Sequence, residues 1–80
     1  MRLDKFLKNA RLIKRRTIAK EACEQGRVTI NDKIAKPGSE VKVCDLIRIT
    51  YGQRVMAVEV VQLLEHAQKD MATEMYRMIE

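Results

Sequence analysis

The residues with the clearest chemistry in this sequence are lysines and arginines crowded near its start. The stretch NARLIKRRT, residues 9–17, holds four of them in nine residues. Residues 1–20 carry eight lysines and arginines and one acid, a net charge of +7, whereas residues 21–80 carry eight and ten acids, a net charge of −2. A solvated helix face usually mixes both signs. A block of one sign indicates a surface that binds a polyanion, with nucleic acid considered before an anionic membrane.

Cationic side chains in such a block would bind phosphate oxygens and release condensed counterions. The candidate phosphate-binding residues are Arg2, Lys5, Lys14, Arg15, Arg16 and Lys20, followed by Arg11 and Arg27. Lys33 and Lys36 flank a predicted hairpin, and they either extend this surface or are simply solvated. Asp4 has two interpretations: it orients Arg2 or Arg16 through a charge-assisted hydrogen bond, or it is only an acid at a helix N-terminus.

The sequence shows no arrangement of residues suited to catalysis. It has no nucleophile beside a base, no paired acids and no glycine loop for phosphate, because Gly26, Gly38 and Gly52 lie far apart. Cys23 and Cys44 lack CxxC spacing, and with one histidine they cannot supply four metal ligands. Both cysteines are therefore predicted to be small buried side chains. We expect no enzyme activity, no metal and no cofactor.

Two short helices are predicted to position the basic residues. Apolar residues at helical spacing predict a first helix near residues 3–10, which Asn9 could end. The stretch KRRTIAKEACEQG predicts a second helix, with Thr17 as its N-cap and Gly26 at its C-terminal end. The predicted apolar stripe of this helix consists of Ile18, Ala19, Ala22 and Cys23. The residues predicted as core rather than as base-stacking platforms are Phe6, Leu7, Ile18, Val28, Ile30 and Ile49.

Alternating apolar residues follow and predict short antiparallel strands. RVTIND and KIAK pair about a tight Asn31-Asp32 turn, EVKVCDLIRITYG supplies further strands, and RVMAVEVVQLLE supplies the last, longer one. Three methionines then recur at helical spacing, so residues 65–80 are predicted to form a C-terminal helix that packs on the domain or faces a partner. The predicted class is α+β: two short helices on a small curled antiparallel sheet, plus that helix.

The run RLDKFLKNARLIKRRTIAKEACEQGRVTINDKIAKPGSEVKVCDLIRI, about residues 2–50, resembles the RNA-binding domain named after small-subunit ribosomal protein four. The matching features are an Arg-Leu-Asp opening, a basic pair before the second helix, Gly-Arg-Val before a strand, Asn in the next turn, and Lys-Pro. The resemblance implies an S-four-type domain over residues 1–64 whose two helices form the alpha-L RNA-binding motif. Two turns depart from the pattern, because Asp32 and Cys44 stand where that family usually has glycine.

A short chain with this opening is similar to the heat-shock-protein-fifteen family, and most of all to its members in ribosome quality control. The resemblance implies a non-enzymatic factor that binds the large ribosomal subunit, its rRNA in the helix 69 region, and a stalled P-site peptidyl-tRNA. It implies support for the RqcH-dependent addition of a C-terminal alanine tail. Among the positions that the resemblance implies for RNA binding, we expect Arg2 and Arg16 to contribute most. We expect a cytoplasmic, ribosome-associated monomer with no leader and no membrane span.

Three alternatives stay open at this point. Longer heat-shock-fifteen members imply recycling of free large subunits that carry nascent chains, but they have an extended basic C-terminal region. A winged helix-turn-helix regulator would bind duplex DNA, although basic residues before the second helix suit phosphates better than base edges. An adaptor for acidic proteins would bind little RNA. The scarcity of aromatic residues favours structured RNA over a single strand, and Tyr51 is interpreted as a surface residue rather than a stacking platform.

Overall fold

The computed structural model describes residues 1–66, 68 and 70–79, which form two helices and one antiparallel sheet. Helix α1 spans Leu3–Asn9 and helix α2 spans Arg16–Glu24. The strands are β1 Val28–Ile30, β2 Lys33–Ile34, β3 Leu46–Tyr51, β4 Arg54–Val60 and β5 Tyr76–Met78. They pair in the order β2-β1-β3-β4-β5. The predicted α+β class with two N-terminal helices on a small antiparallel sheet is confirmed.

The two helices begin and end close to the predicted residues. Asn9 is the last residue of α1. Gly26 follows α2 with a φ of 75°, a left-handed conformation that commonly ends a helix and that glycine adopts without steric cost. The prediction that Thr17 caps α2 is wrong. Arg15 occupies the N-cap without a side-chain cap, because the extended backbone there starts the helix one residue before Thr17.

One hydrophobic core lies between the helices and the sheet. Its largest fully buried side chains are Phe6, Leu3, Leu7, Ile47, Ile49, Met75, Val28, Val41, Val58 and Val60. Ile30 is half-buried against this core. The prediction that Ile18 belongs to the core is wrong, since this residue is 48% exposed. Helix α2 packs through the small side chains of Ala19, Ala22 and Cys23, which leaves Ile18 on the outward face.

The two turns that depart from the family pattern keep a left-handed backbone without glycine. Asn31 and Asp32 have φ of 51° and 70°, and Cys44 has a φ of 78°. The Asn31 side chain joins both turns, because its Nδ2 donates to Asp45 Oδ1 at 3.1 Å and its Oδ1 accepts from the Leu46 amide at 2.9 Å. The prediction that Cys44 is buried is wrong, because this turn points it outward; Cys23 is buried as expected.

The predicted C-terminal helix is wrong for the residues that the structure describes. Between residues 65 and 80 they form a 3₁₀ turn, Ala72–Glu74, and strand β5; Ala67, Lys69 and Glu80 of the predicted helix lie outside the described residues. β5 pairs with β4, which ends at Val60 rather than near residue 65. Of the methionine stripe, Met75 is buried, whereas Met71 and Met78 are exposed. Within the described residues, no helix is long and apolar enough to cross a membrane.

Candidate nucleic-acid interface

A buried carboxylate joins two arginines at the start of the two helices. Asp4 is 3% exposed, and its carboxylate accepts hydrogen bonds from Arg2 Nε and Nη2 at 3.3 Å each and from Arg16 Nη2 at 3.4 Å. The Lys5 backbone amide also donates to it at 2.8 Å. The two arginine side chains are 57% and 49% exposed. The orienting contact predicted for Asp4 is thus present, and it holds both guanidiniums side by side; we call Arg2 and Arg16 the arginine pair.

The charge balance of this cluster leaves it positive. Burial raises the pKa of the Asp4 carboxyl, but hydrogen bonds and charges from Arg2 and Arg16 outweigh burial, so its pKa lies below the usual 3.8. Asp4 is therefore ionised at neutral pH and compensates one of the two cations. The N–O distances exceed the roughly 2.8 Å of a tight charge-assisted bond. The guanidiniums therefore keep capacity to donate to an anion that approaches from the solvent side.

The turn at residues 36–39 holds Arg2 in place from the other side. The Leu3 amide donates to the Ser39 carbonyl at 2.9 Å, and the Asp4 amide donates to the Pro37 carbonyl at 3.1 Å. A Cβ added at Gly38 would lie 3.8 Å from the Arg2 guanidinium carbon, so that guanidinium rests on the turn. Lys36 begins this turn and is exposed, which places it in the same part of the surface as Arg2.

A second group of cations lies on the connection between the helices, residues 10–15, which we call the basic loop. The Leu12 and Ile13 amides both donate to the Leu7 carbonyl, at 3.0 and 3.2 Å, and Ile13 is buried. Because the loop is fixed in this way, its charged side chains point outward. Arg11 and Lys14 line a surface cleft of about 330 Å³ together with Lys8 and Asn9.

The N-terminus of α2 combines two unfavourable features for a helix in isolation. Arg15 and Arg16 stand at the end where the helix dipole is positive, and the first turn contains no acid. No side chain caps the free amides there. Both features become favourable when a phosphate binds at this end. The arrangement therefore suits an anion better than it suits the stability of the helix.

The remaining predicted residues are not all part of this cluster. Lys5 is half-buried and forms an ion pair with Glu65, so its charge is compensated. Arg27 lines a separate cleft on the sheet, of about 500 Å³, together with Arg48. The other two predicted cations, Lys20 and Lys33, are exposed and form no ion pair with a described residue.

Three cations near these clefts were not predicted from the sequence. Lys8 lines the cleft with Arg11, Arg48 lies beside Arg27, and Arg54 lines a further cleft next to Leu12. A sequence signal existed for Lys8, which stands three residues before Arg11 and extends the basic block. The alternation of LIRITY places Arg48 on the solvent face of β3. Nothing local marks Arg54.

Comparison with known proteins gives the same fold and the same family. Residues 1–47 match the model of the S4 domain. The chain is 53% identical over 76 residues to the RQC P-site tRNA stabilizing factor of Halalkalibacterium halodurans, which covers 95% of this chain and 86% of that protein. It is 50% identical over 80 residues to the Listeria monocytogenes protein of the same name, which covers 100% of this chain and 87% of that protein.

A solved structure also matches, the trimeric structure of Vibrio cholerae Heat Shock Protein 15. Its TM-score is 0.90 at 29% identity, with 98% of this chain and 80% of that chain covered. The fold and the basic helices thus define an S4 domain protein. Within that class, the chain belongs to the family of the RQC P-site tRNA stabilizing factors. The resemblance that the sequence indicates, to the heat-shock-protein-fifteen family and to its members in ribosome quality control, is confirmed.

Proposed function

We propose that this protein is a non-enzymatic RNA-binding factor of ribosome-associated quality control. It binds structured RNA through the arginine pair and the basic loop, and its RNA partners include tRNA in the ribosomal P site. The proposal is supported by the S4 domain match and by relatives named for stabilising P-site tRNA. The observation that carries it is the buried Asp4 carboxylate, which aligns the exposed Arg2 and Arg16 guanidiniums. Five further cations of the N-terminal region form no ion pair with a described residue: Lys8, Arg11, Lys14, Arg15 and Lys20.

The proposed binding mode follows from the geometry of those groups. An RNA duplex presents two phosphate rails and a shallow minor groove, so a protein recognises its shape more than its sequence. The arginine pair offers planar forks for phosphate oxygens, and Lys14 and Arg15 offer further charge at the start of α2. Lys20, Lys33 and Lys36 would add long-range attraction, whereas Lys5 would mainly hold its partner Glu65.

We place the protein on the large ribosomal subunit in the cytoplasm, with its basic surface against rRNA of the helix 69 region and the stalled P-site peptidyl-tRNA. There it would hold the tRNA while RqcH directs addition of the alanine tail. We propose that it acts as a monomer, which sedimentation equilibrium of the purified protein tests: a mass near 9.3 kDa supports this, and a trimer mass contradicts it.

The experiment is co-sedimentation of tagged protein with ribosomal particles from a cell lysate. Wild type should travel with large subunits that carry peptidyl-tRNA. Arg16→Ala should remain at the top of the gradient, because one half of the arginine pair is lost. Arg77→Ala is the control, since it removes an even more exposed arginine, 71% against 49% for Arg16, whose charge is already compensated by Glu59. Wild type that stays at the top of the gradient at low salt contradicts the proposal.

A second candidate function is recycling of free large subunits that carry nascent chains. It is favoured by the match to Heat Shock Protein 15 at a TM-score of 0.90. The two functions differ in the effect on the nascent chain. Deletion of a quality-control factor should abolish alanine tails on stalled peptides, whereas deletion of a recycling factor should leave the tails and increase the number of obstructed subunits.

A further inference from the structure

The basic loop, the first turn of α2 and the end of β3 enclose a mainly apolar cleft. It has a volume of about 440 Å³ and is lined by Leu12, Ile13, Lys14, Arg15, Ile18 and Tyr51. A second cleft of about 480 Å³ shares Leu12 and Tyr51 and continues along the sheet past Arg54, Val55, Met56 and Met78. Both volumes lie in the range of about 300–1,000 Å³ that small-molecule sites occupy. Ile18, which the sequence pattern predicted as a core residue, is therefore exposed and lines a surface cleft.

The aromatic ring in this cleft is held in a fixed position. The Tyr51 hydroxyl donates to the Leu12 carbonyl at 3.0 Å, which ties the hairpin between β3 and β4 to the basic loop. Tyr51 is 40% exposed, so part of its ring faces solvent while its hydroxyl is engaged. A ring that is already ordered loses little conformational freedom when a flat group packs against it.

The charges around the cleft are of one sign. Lys14 and Arg15 line one part and Arg54 lines the continuation. Among the described residues that line the two clefts none is acidic, and these three cations form no ion pair with any described residue. Apolar surface flanked by unpaired cations matches a ligand that is flat and apolar at one end and anionic at the other.

We propose that this cleft receives an unpaired nucleotide of the bound RNA. The base packs against Tyr51 and Ile18, and its phosphate lies against Lys14 or Arg15. Base stacking is independent of sequence, because every base has a π-face. A fully paired duplex cannot fill the cleft, since its bases are stacked inside the helix. The inference rests on the proposed function and adds to it: the protein distinguishes RNA with an extruded base beside a helix from RNA that is paired throughout.

The test compares two RNA hairpins of equal length and charge with the full-length protein. One carries a single bulged 2-aminopurine, and in the other the same base is paired. Wild type should bind the bulged hairpin about tenfold more tightly, the lower part of the range for one stacked base, and should change the fluorescence of the bulged base. Ile18→Ser should reduce the preference to about twofold without changing affinity for the paired hairpin.

Two further variants make the test specific. Ile34→Ser is the matched control, because Ile34 is a 71% exposed isoleucine on β2 that lines neither apolar cleft, and it should keep the full preference. Tyr51→Phe keeps the ring and removes the hydrogen bond to Leu12, so it should retain part of the preference, whereas Tyr51→Leu should lose it. Thermal melting by circular dichroism verifies that each variant is folded.

The outcomes separate this inference from the proposed function. Equal wild-type affinity for the two hairpins overturns the nucleotide site and leaves RNA binding intact. Failure to bind either hairpin at low salt overturns both. If Ile18→Ser leaves hairpin binding unchanged but removes the protein from ribosomal particles, the cleft serves a protein partner and the nucleotide site is overturned.

Discussion

The helical half of the molecule, residues 1–26, and the sheet half that follows differ in their balance of charge. The helical half carries eight lysines and arginines and three acids, a net charge of +5, whereas the sheet half carries eight of each, a net charge of zero. On the sheet, Arg48 pairs with Asp32 at 3.0 Å and Arg77 pairs with Glu59. In the helical half, the arginine pair shares one carboxylate. Five further cations of that half have no partner among the described residues: Lys8, Arg11, Lys14, Arg15 and Lys20.

This difference shows which half is organised for an external ligand. Uncompensated like charges repel each other and reduce the stability of a compact state. In the sheet half equal numbers of acids and cations reduce that repulsion, although five of its cations also form no ion pair with a described residue: Arg27, Lys33, Lys36, Lys42 and Arg54. The helical half retains it, and of its three acids, Asp4, Glu21 and Glu24, the first is buried where it orients arginines instead of neutralising the surface.

The largest expected effect is that of Asp4→Asn. It keeps the shape of the side chain but removes the charge that holds Arg2 and Arg16, so unfolding should become easier by about 2 kcal/mol. RNA affinity should fall about tenfold, because the guanidiniums are no longer aligned. Asp32→Asn is the matched control in the sheet half, where the exposed pair with Arg48 should contribute less than about 0.5 kcal/mol. If urea unfolding shows that Asp4→Asn and Asp32→Asn lose equal free energy of unfolding, the contrast between the two halves is contradicted.

The contribution of Asp4 to the free energy of unfolding should also depend on pH. The folded-state pKa of the Asp4 carboxyl lies below its ordinary value of 3.8. Unfolding therefore takes up a proton at pH values between the folded-state pKa and the ordinary pKa. The stabilisation is therefore complete above the ordinary value and is lost as pH falls through the folded pKa. The difference in unfolding free energy between wild type and Asp4→Asn should be constant from about pH 5 to 7 and shrink below about pH 4. If the difference in unfolding free energy between wild type and Asp4→Asn grows as pH falls, the folded-state pKa of Asp4 is not lowered.

A medium effect is expected from Cys44→Gly in the sheet half. Cys44 has a φ of 78°, where a side chain costs roughly 1–2 kcal/mol and glycine costs nothing in the folded state. The greater freedom of unfolded glycine offsets part of this gain, which leaves a stabilisation of about 1 kcal/mol in thermal or urea unfolding. Cys44→Ala keeps a Cβ and should show no such gain. RNA affinity should not change, since this turn lies outside the arginine pair and the basic loop.

The smallest stability effect is expected from Arg15→Ser in the helical half. Arg15 is an N-cap in extended conformation without a side-chain cap, so serine there should stabilise α2 by about 0.5 kcal/mol. RNA binding should weaken at the same time, because a cation of the basic loop is removed. Arg15→Ala should weaken binding equally without the gain in stability. If Arg15→Ser increases both stability and RNA affinity, Arg15 does not contact RNA.

Local patterns in the sequence were sufficient to predict the helices, the hairpin about Asn31-Asp32 and the end of α2 at Gly26. Each depends on neighbours within a few residues. Strand β5 could not be predicted in this way, because Ala, Gln, Glu and Met favour a helix locally. The strand exists through pairing of Tyr76 with Val60 and Met78 with Val58, which are distant in sequence.

In the candidate site, too, only the features that depend on residues near in sequence could be predicted. The crowding of cations and the contact of Asp4 with an arginine were readable, because they lie within 20 residues. The exposure of Ile18 was not, since it depends on which face of α2 packs. The hydrogen bond from Tyr51 to Leu12 was not readable either, because it joins residues 39 positions apart.

The most direct test of the contrast between the halves is the salt dependence of binding to one structured RNA hairpin, measured for wild type, Arg16→Ala and Arg77→Ala. We expect that Arg16→Ala weakens binding by roughly 1–3 kcal/mol and reduces the slope of log K against log salt by about one. Arg77→Ala should leave the slope unchanged. Equal slopes for wild type and Arg16→Ala, or an equal reduction for the two variants, would contradict the claim that the helical half binds the phosphates.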